Sequence, residues 1–159
     1  IEWNISKGGN SGIFYGVKEF PELDEAYKSG PEIQVLDNEN FFTATKLHRS
    51  PSLYDLVGPD ENNVKVNPHG EWNHLLLKID HKKNIGTVTM NGQLAFSYRL
   101  SGPEWDKLIS KSKFRYKEYY VNRGTDNEFL AFGAFKSGKI GLQDHGSDVK
   151  FRNIKIREL

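Results

Sequence analysis

Hydrophobic and polar residues alternate along this chain in short runs, and the runs are broken by Gly, Pro, Asn and Asp. The runs "EIQVLD", "WNHLLLKID", "IGTVTMNGQLAFSYRL", "GKIGLQD" and "VKFRNIKIREL" are rich in Val, Ile, Leu and aromatics, the composition that fits a pleated, half-buried surface, and each predicts a strand. The opening "IEWNISKGGNSGIFYGV" predicts the end of one strand, a Gly-rich turn at Lys7 to Gly9, and a second strand from Gly12 to Val17. In "TMNGQLAF" the pair Asn91-Gly92 separates two alternating runs; both residues tolerate positive φ, so a tight hairpin is expected there. One helix is predicted in "SGPEWDKLISKSKF", with Pro103 in the first turn and Trp105, Leu108 and Ile109 at helical spacing. The polar stretches "KEFPELDEAYKSGPE" and "FRYKEYYVNRGTDNE" read as long loops.

Alternation also assigns faces. Ile33 and Val35 should point into the core, which puts Glu32 and Gln34 together on the other side of the same strand. By the same rule Ile140 and Leu142 point inward while Gln143 and His145 point outward, and Asn73, Leu75, Leu77 and Ile79 point inward while Trp72 and His74 point outward. Trp3 and Ile154 join the expected core. A solvated outer face would explain any one of these strands. The outward set is nevertheless Glu, Gln, Trp and His, where a passive face carries Lys, Thr and Ser, and it recurs on three separate strands. A flat indole for the C–H face of a pyranose, beside amides and carboxylates for adjacent hydroxyls, is sugar-binding chemistry. Glu32, Gln34, Trp72, His74, Gln143 and His145 are therefore expected to line one concave surface.

Composition narrows the alternatives. A chain of 159 residues has room for a single domain with one core. Fifteen Gly and 6 Pro beside 13% aromatic residues describe a packed, turn-rich, all-β domain. Lys and Arg number 22 against 21 Asp and Glu, so no long-range field would draw nucleic acid or an anionic membrane. No apolar run approaches the ~20 residues of a membrane-spanning helix. Without cysteine, disulfides, thiolate metal sites and cysteine nucleophiles are excluded, whereas the compartment stays open. The chain starts inside a strand, and the expectation is that a signal peptide and first strands precede Ile1 and that the protein is periplasmic or secreted.

Standard catalytic signatures are missing. "GGNSG" enters a strand and lacks the spacing of a nucleophile elbow, so Ser11 reads as part of a turn. His48, His69, His74, His81 and His145 are scattered, without an H-E-x-x-H or H-x-H spacing. Asp37 and Asp144 each end a strand beside Asn or His-Gly, where a carboxylate often caps its own turn; Asp144 is also placed to tune His145. Arg152, beside Phe151 and Ile154, is a candidate buried partner for one of these two aspartates. Tyr54 could stack on a sugar or simply pack, and Asn10, in the turn before a strand, could reach the Glu32 face.

In order along the chain, "GGNSGIFYGV", "PEIQVLDN", "LYDL", "GEWNHLLLKI", "MNG" and "GKIGLQDHGSDVKFRNIKIREL" resemble the bacterial 3-keto-disaccharide hydrolase domain family. The blocks run from the first residues to the last; "RYKEYYVNRGTDNEFLAFGAF" is longer than the corresponding loop of many members, and further strands usually precede the "NSGI" block. The resemblance implies a concanavalin A-like jelly-roll sandwich of two antiparallel sheets that binds glycans across a concave face. It also implies cleavage of oxidised disaccharides: a ketone at C3 acidifies the C2 proton, its removal gives an enolate, the oxygen on C1 leaves, and water adds to the enone. Such a route needs a base, a donor to the enolate oxygen and an acid for the leaving group. Glu32 and His145 suit base and acid in either order, with Asn10, Gln34, Tyr54, Trp72, His74, Gln143 and Asp144 as substrate contacts. No cofactor is required, although a divalent metal could polarise the ketone, with His145, Asp144 and Glu32 as its candidate ligands. The alternative is a non-catalytic carbohydrate-binding module on the same sandwich.

Overall fold

The computed structural model describes residues 1–43, 45–122 and 128–159; part of the long "YVNRGTDNE" loop lies outside them. Strands β1 (Glu2–Ile5), β2 (Asn10–Val17), β3 (Glu32–Leu36), β4 (Asn73–Asp80), β5 (Ile85–Met90), β6 (Gln93–Arg99), β7 (Tyr120–Asn122), β8 (Glu128–Leu130), β9 (Lys139–Leu142) and β10 (Val149–Arg152) are joined by loops, with one α-helix, α1 (Pro103–Ile109), after β6. A five-stranded sheet runs β10-β1-β4-β5-β6, a three-stranded sheet runs β3-β2-β9, and β7-β8 form a separate pair. All the pairings are antiparallel. The expected all-β sandwich of two antiparallel sheets is the observed one.

Both sheets turn apolar residues toward a common core. Trp3, Ile5, Leu75, Val88 and Met90 come from the larger sheet, and Ile13, Ile33 and Val35 from the smaller; Leu53 and Leu56 enter from a loop and Trp105 and Ile109 from α1. The period of two is cleanest in β5, where Gly86, Val88 and Met90 are buried and the residues between them are not. The hairpin β5–β6 turns at Asn91 (φ 50°) and Gly92 (φ 81°), the two positive values that a type I′ turn requires. Pro103 sits in the first turn of α1, and Trp105 and Ile109 are its buried residues, as their i, i+4 spacing dictates.

β3 is buried on both faces along its whole length. The segment after Pro51 pairs with its free edge: Gln34 N donates to Ser52 O (3.0 Å), Tyr54 N donates to Glu32 O (2.9 Å), and Ile33 bridges to Leu53. This register sets Tyr54 beside Glu32, with its side chain partly packed against the core.

Three positions expected in the core are exposed. Leu142 faces the core side opposite Ile13 but is 42% exposed, and Ile140 is 52% exposed, because β9 is the edge of its sheet and alternation alone does not report what covers an edge. Ile154 follows β10 and is 53% exposed. The contrast predicts that Leu53→Ala, at 0% exposure, destabilises the fold by ~2–5 kcal/mol in urea denaturation. Leu142→Ala should cost less than half as much in the same measurement.

Candidate functional site

The site grows from the row Gln34–Gly12 of the smaller sheet. Gly12 is paired with Gln34, and Phe14 with Glu32. Gly12 is needed for space: a Cβ there would lie 2.0 Å from Glu32 Oε1. The Glu32 carboxyl thus lies over bare backbone, with only 7% of the residue exposed. Burial penalises its charged form and raises its pKa to about 7, against the opposing pull of the Lys113 ammonium. Gln34 Nε2 donates to Asn10 Oδ1 (3.3 Å) and to His48 O (3.2 Å). The third strand adds Gln143, whose backbone N donates to Gly12 O at 2.9 Å and whose backbone O accepts from Ser11 Oγ at 2.7 Å. Oε1 of Gln34 and Oε1 of Gln143 are buried acceptors with no protein partner, an arrangement that costs stability unless a donor fills it.

Two segments distant in sequence complete the cluster. His48 lies in a short 3-10 turn, Lys46–His48, whose start is capped by the Thr45 side chain accepting from Leu47 N. Its Nε2 is 3.0 Å from Asp55 Oδ1, and its ring stacks on Tyr54 with centroids 4.5 Å apart and planes within 7°. The other Asp55 oxygen accepts from Lys113 N at 2.7 Å. Lys113 opens the turn after α1, where Ser112 Oγ accepts from Phe114 N and Phe114 stacks on Phe132 at 3.6 Å. That anchoring holds the Lys113 amine over the rings of Tyr54 (4.6 Å), Tyr27 (4.9 Å) and Phe114 (5.4 Å). Burial lowers the amine's pKa, and the Glu32 and Asp55 carboxylates oppose the shift. Burial in turn raises the Tyr54 hydroxyl, helped by Glu32 and Asp55.

Glu32, Gln34, Gln143, Asn10 and Tyr54 therefore share one face of the smaller sheet, as expected. Trp72 and His74 do not. His74 lies on β4 opposite Glu2, on the outer face of the larger sheet, and the Trp72 ring is covered by the Arg152 guanidinium at 3.8 Å. Alternation separated the two sides of β4 correctly, but the outer faces of two stacked sheets point in opposite directions. Arg152 bonds to Glu2 Oε2 at 2.6 Å and not to an aspartate. His145 is exposed beyond the end of β9, and no described interaction joins it to Glu32. Asp144 Oδ1 accepts from Gly146 N and Asp37 accepts from Gly8 N, Glu39 N and Asn40 N, so both cap turns. Among the described residues, no group of three or more His, Cys, Asp or Glu side chains is gathered as for a metal ion; Glu32, Asp144 and His145 form no such group.

The residues that sequence reasoning missed are His48, Asp55 and Lys113. Asp55 falls inside the "LYDL" block, which is the one signal that could have found it. A separate cleft of about 480 Å³ lies at the α1 end, lined by Tyr15, His81, Trp105, Asp106 and Phe132 among others. His81 and Asp106 there are exposed, so it lacks the buried acid and amine of the Glu32 cluster.

Comparison with known proteins agrees with this architecture. The sequence model of one family, described as a 3-keto-alpha-glucoside-1,2-lyase-like domain, matches residues 1–157. A curated relative from Bacteroides thetaiotaomicron, named 3-keto-disaccharide hydrolase, is 38% identical over the whole of this chain, which spans 57% of that protein's length. A crystal structure of a candidate glycosyl hydrolase from Parabacteroides distasonis superposes with a TM-score of 0.77 at 26% identity, covering 93% of this chain and 63% of its own. A second from the same organism gives 0.63 at 19% identity, covering 99% and 75%, and speaks to the fold alone.

Burial of Glu32 makes a prediction about stability. Unfolded, a glutamate titrates near 4.5, and folded Glu32 near 7, so the folded chain keeps a proton that the unfolded chain releases between these values. Its contribution is complete below about 4.5 and is lost as pH rises through about 7, a change of roughly 3 kcal/mol. Urea denaturation at about pH 5 and about pH 8 should show this loss in the wild type, and Glu32→Gln should remove most of it.

Proposed function

The chain belongs to the 3-keto-alpha-glucoside-1,2-lyase-like domain family, and from that premise we propose that it cleaves glycosides whose sugar carries a ketone at C3, through removal of the C2 proton and elimination of the group on C1. The observation that carries this reading is the Glu32 carboxyl, buried over Gly12, with its pKa raised to about 7. A general base works best when its pKa is near the operating pH, and a C2 proton beside a ketone is within reach of such a base. An unactivated glycoside would ask for two carboxylates on either side of the scissile bond, and the second carboxylate of this cluster, Asp55, is already committed to His48 and to Lys113 N.

The remaining roles follow from position. His48 Nε2 is held by Asp55, which leaves Nδ1 to exchange a proton with the oxygen departing from C1. Gln34 and Gln143, whose backbones flank Gly12, carry unpartnered Oε1 atoms, acceptors suited to sugar hydroxyls. The half-exposed His48 ring, backed by Tyr54, is the surface assigned to the pyranose, and the ketone is assigned to the Lys113 side. His145, in the exposed loop after β9, has no place in this chemistry.

The test is release of monosaccharide from a 3-keto-disaccharide and from its unoxidised parent. Cleavage is expected only of the ketone, rising with pH as Glu32 ionises near 7. Glu32→Gln should slow it ~10²–10⁴-fold and His48→Ala by a comparable factor, whereas His145→Ala should stay close to wild type. Binding of both sugars with cleavage of neither would instead identify a carbohydrate-binding module.

A further inference from the structure

Lys113 is an unusual group to find in this cluster. Its amine is boxed by the faces of Tyr54, Tyr27 and Phe114, and it makes no described ion pair shorter than 4.0 Å. The carboxylate whose charge it feels most, Glu32, is the proposed base. Its backbone is fixed by Asp55 and by the Ser112 cap, so a long, flexible side chain starts from a rigid point. A primary amine that is partly desolvated and close enough to a base to feel its charge has the parts needed for covalent carbonyl chemistry.

We infer that Lys113 condenses with the C3 ketone of the substrate to form an iminium ion, and that the elimination runs through it. This rests on the 3-keto-glycoside reading above. In the first step Nζ, as the free amine, bonds to C3 and the carbonyl oxygen departs as water with one proton taken from solvent, which leaves the iminium cation; the final hydrolysis returns that proton. Glu32 then takes the C2 proton, and the electron pair of that C–H bond makes the enamine. Electron flow back from nitrogen forms the C1–C2 double bond and breaks the C1–O bond, and the leaving oxygen takes its proton from His48. One water adds to C1 as C2 recovers a proton, and a second water hydrolyses the iminium, restoring the amine and placing its own oxygen on C3. The sum is one water consumed and two sugars released, with no external oxidant, reductant or metal in the sequence of steps.

Burial and the aromatic box favour this route at different stages. Burial lowers the pKa of the amine, the direction that favours the unprotonated form needed for attack. The rings then face a nitrogen that stays cationic after condensation, a charge they stabilise through cation–π contact. A lysine acting only as a charge beside the C3 oxygen would need neither bond formation nor loss of that oxygen, and the two cases therefore differ in the fate of one atom.

The test uses the wild-type chain with a 3-keto-disaccharide. Cleavage in ¹⁸O-enriched water, corrected for uncatalysed exchange, should place one label on C3 of the keto product per turnover. Cyanoborohydride added during turnover should leave a single sugar adduct on a peptide containing Lys113, and none with the unoxidised parent. Lys113→Arg, which keeps the charge, should lower the cleavage rate by ~10²-fold or more and abolish the adduct. Cleavage with the original oxygen retained on C3 and no adduct, or an adduct on a different lysine, overturns the covalent role and leaves the elimination reading standing. Absence of cleavage by the wild type sinks the elimination reading itself, and the covalent role with it.

Discussion

The carboxylate of Asp55 is the joint on which the cluster depends. One oxygen takes His48 and the other takes the backbone of Lys113, so a single side chain ties a loop on the edge of β3 to the turn that follows α1, across 58 residues of sequence. Its own backbone sits at φ 60° with its N–H bonded to Leu47 O, a left-handed conformation that aspartate tolerates better than most non-glycine residues. The Asp55 carboxylate adds a direct link between His48 and Lys113, each of which is also anchored on its own side, His48 by Gln34 and Tyr54 and Lys113 by the Ser112 cap. The bonds to a charged acceptor are also the stronger kind, about twice a neutral one.

Around that joint the protein keeps an acid and an amine in surroundings that disfavour both charges. Burial raises Glu32 and lowers Lys113, and their attraction offsets each shift only in part. A fold selected for stability alone would fill the space with an apolar pair, which is often neutral or stabilising by comparison. The unpartnered Oε1 atoms of Gln34 and Gln143 belong to the same pattern, and so does the bare backbone at Gly12. These costs fall together on one face of the smaller sheet, where function outweighs packing.

The opposite side of the sandwich shows how a polar outer face behaves when it has settled structural partners. There Glu2 joins Arg152 and Asn153, the Arg152 guanidinium lies on Trp72, and His74 stands exposed beside them. The residue types resemble those of a sugar site, but the indole face is occupied and the carboxylate is paired. Composition of a face is a weak guide to its role; what distinguishes the Glu32 side is burial without full pairing.

The sequence by itself determined most of the strands, though not the β7–β8 pair that begins inside a stretch read as loop, together with the Asn91-Gly92 hairpin, the short helix at Pro103, the inward residues of β3, and the grouping of Glu32 with Gln34, because each depends on a period of two, a period of 3.6 or a local φ requirement. The family was legible for a related reason: blocks such as "LQDHG" and "FRNIKIREL" preserve local spacing. What only the tertiary structure decided is which outer faces coincide, what covers an edge strand, and which distant loops meet. Sheet membership put His74 on the far side of the molecule from Glu32, the edge position of β9 left Leu142 exposed, and loop closure carried His48, Asp55 and Lys113 to the Glu32 carboxyl. None of these follows from alternation, since alternation fixes a side chain's direction relative to its own strand and carries no information about where that strand lies in the assembled sheets.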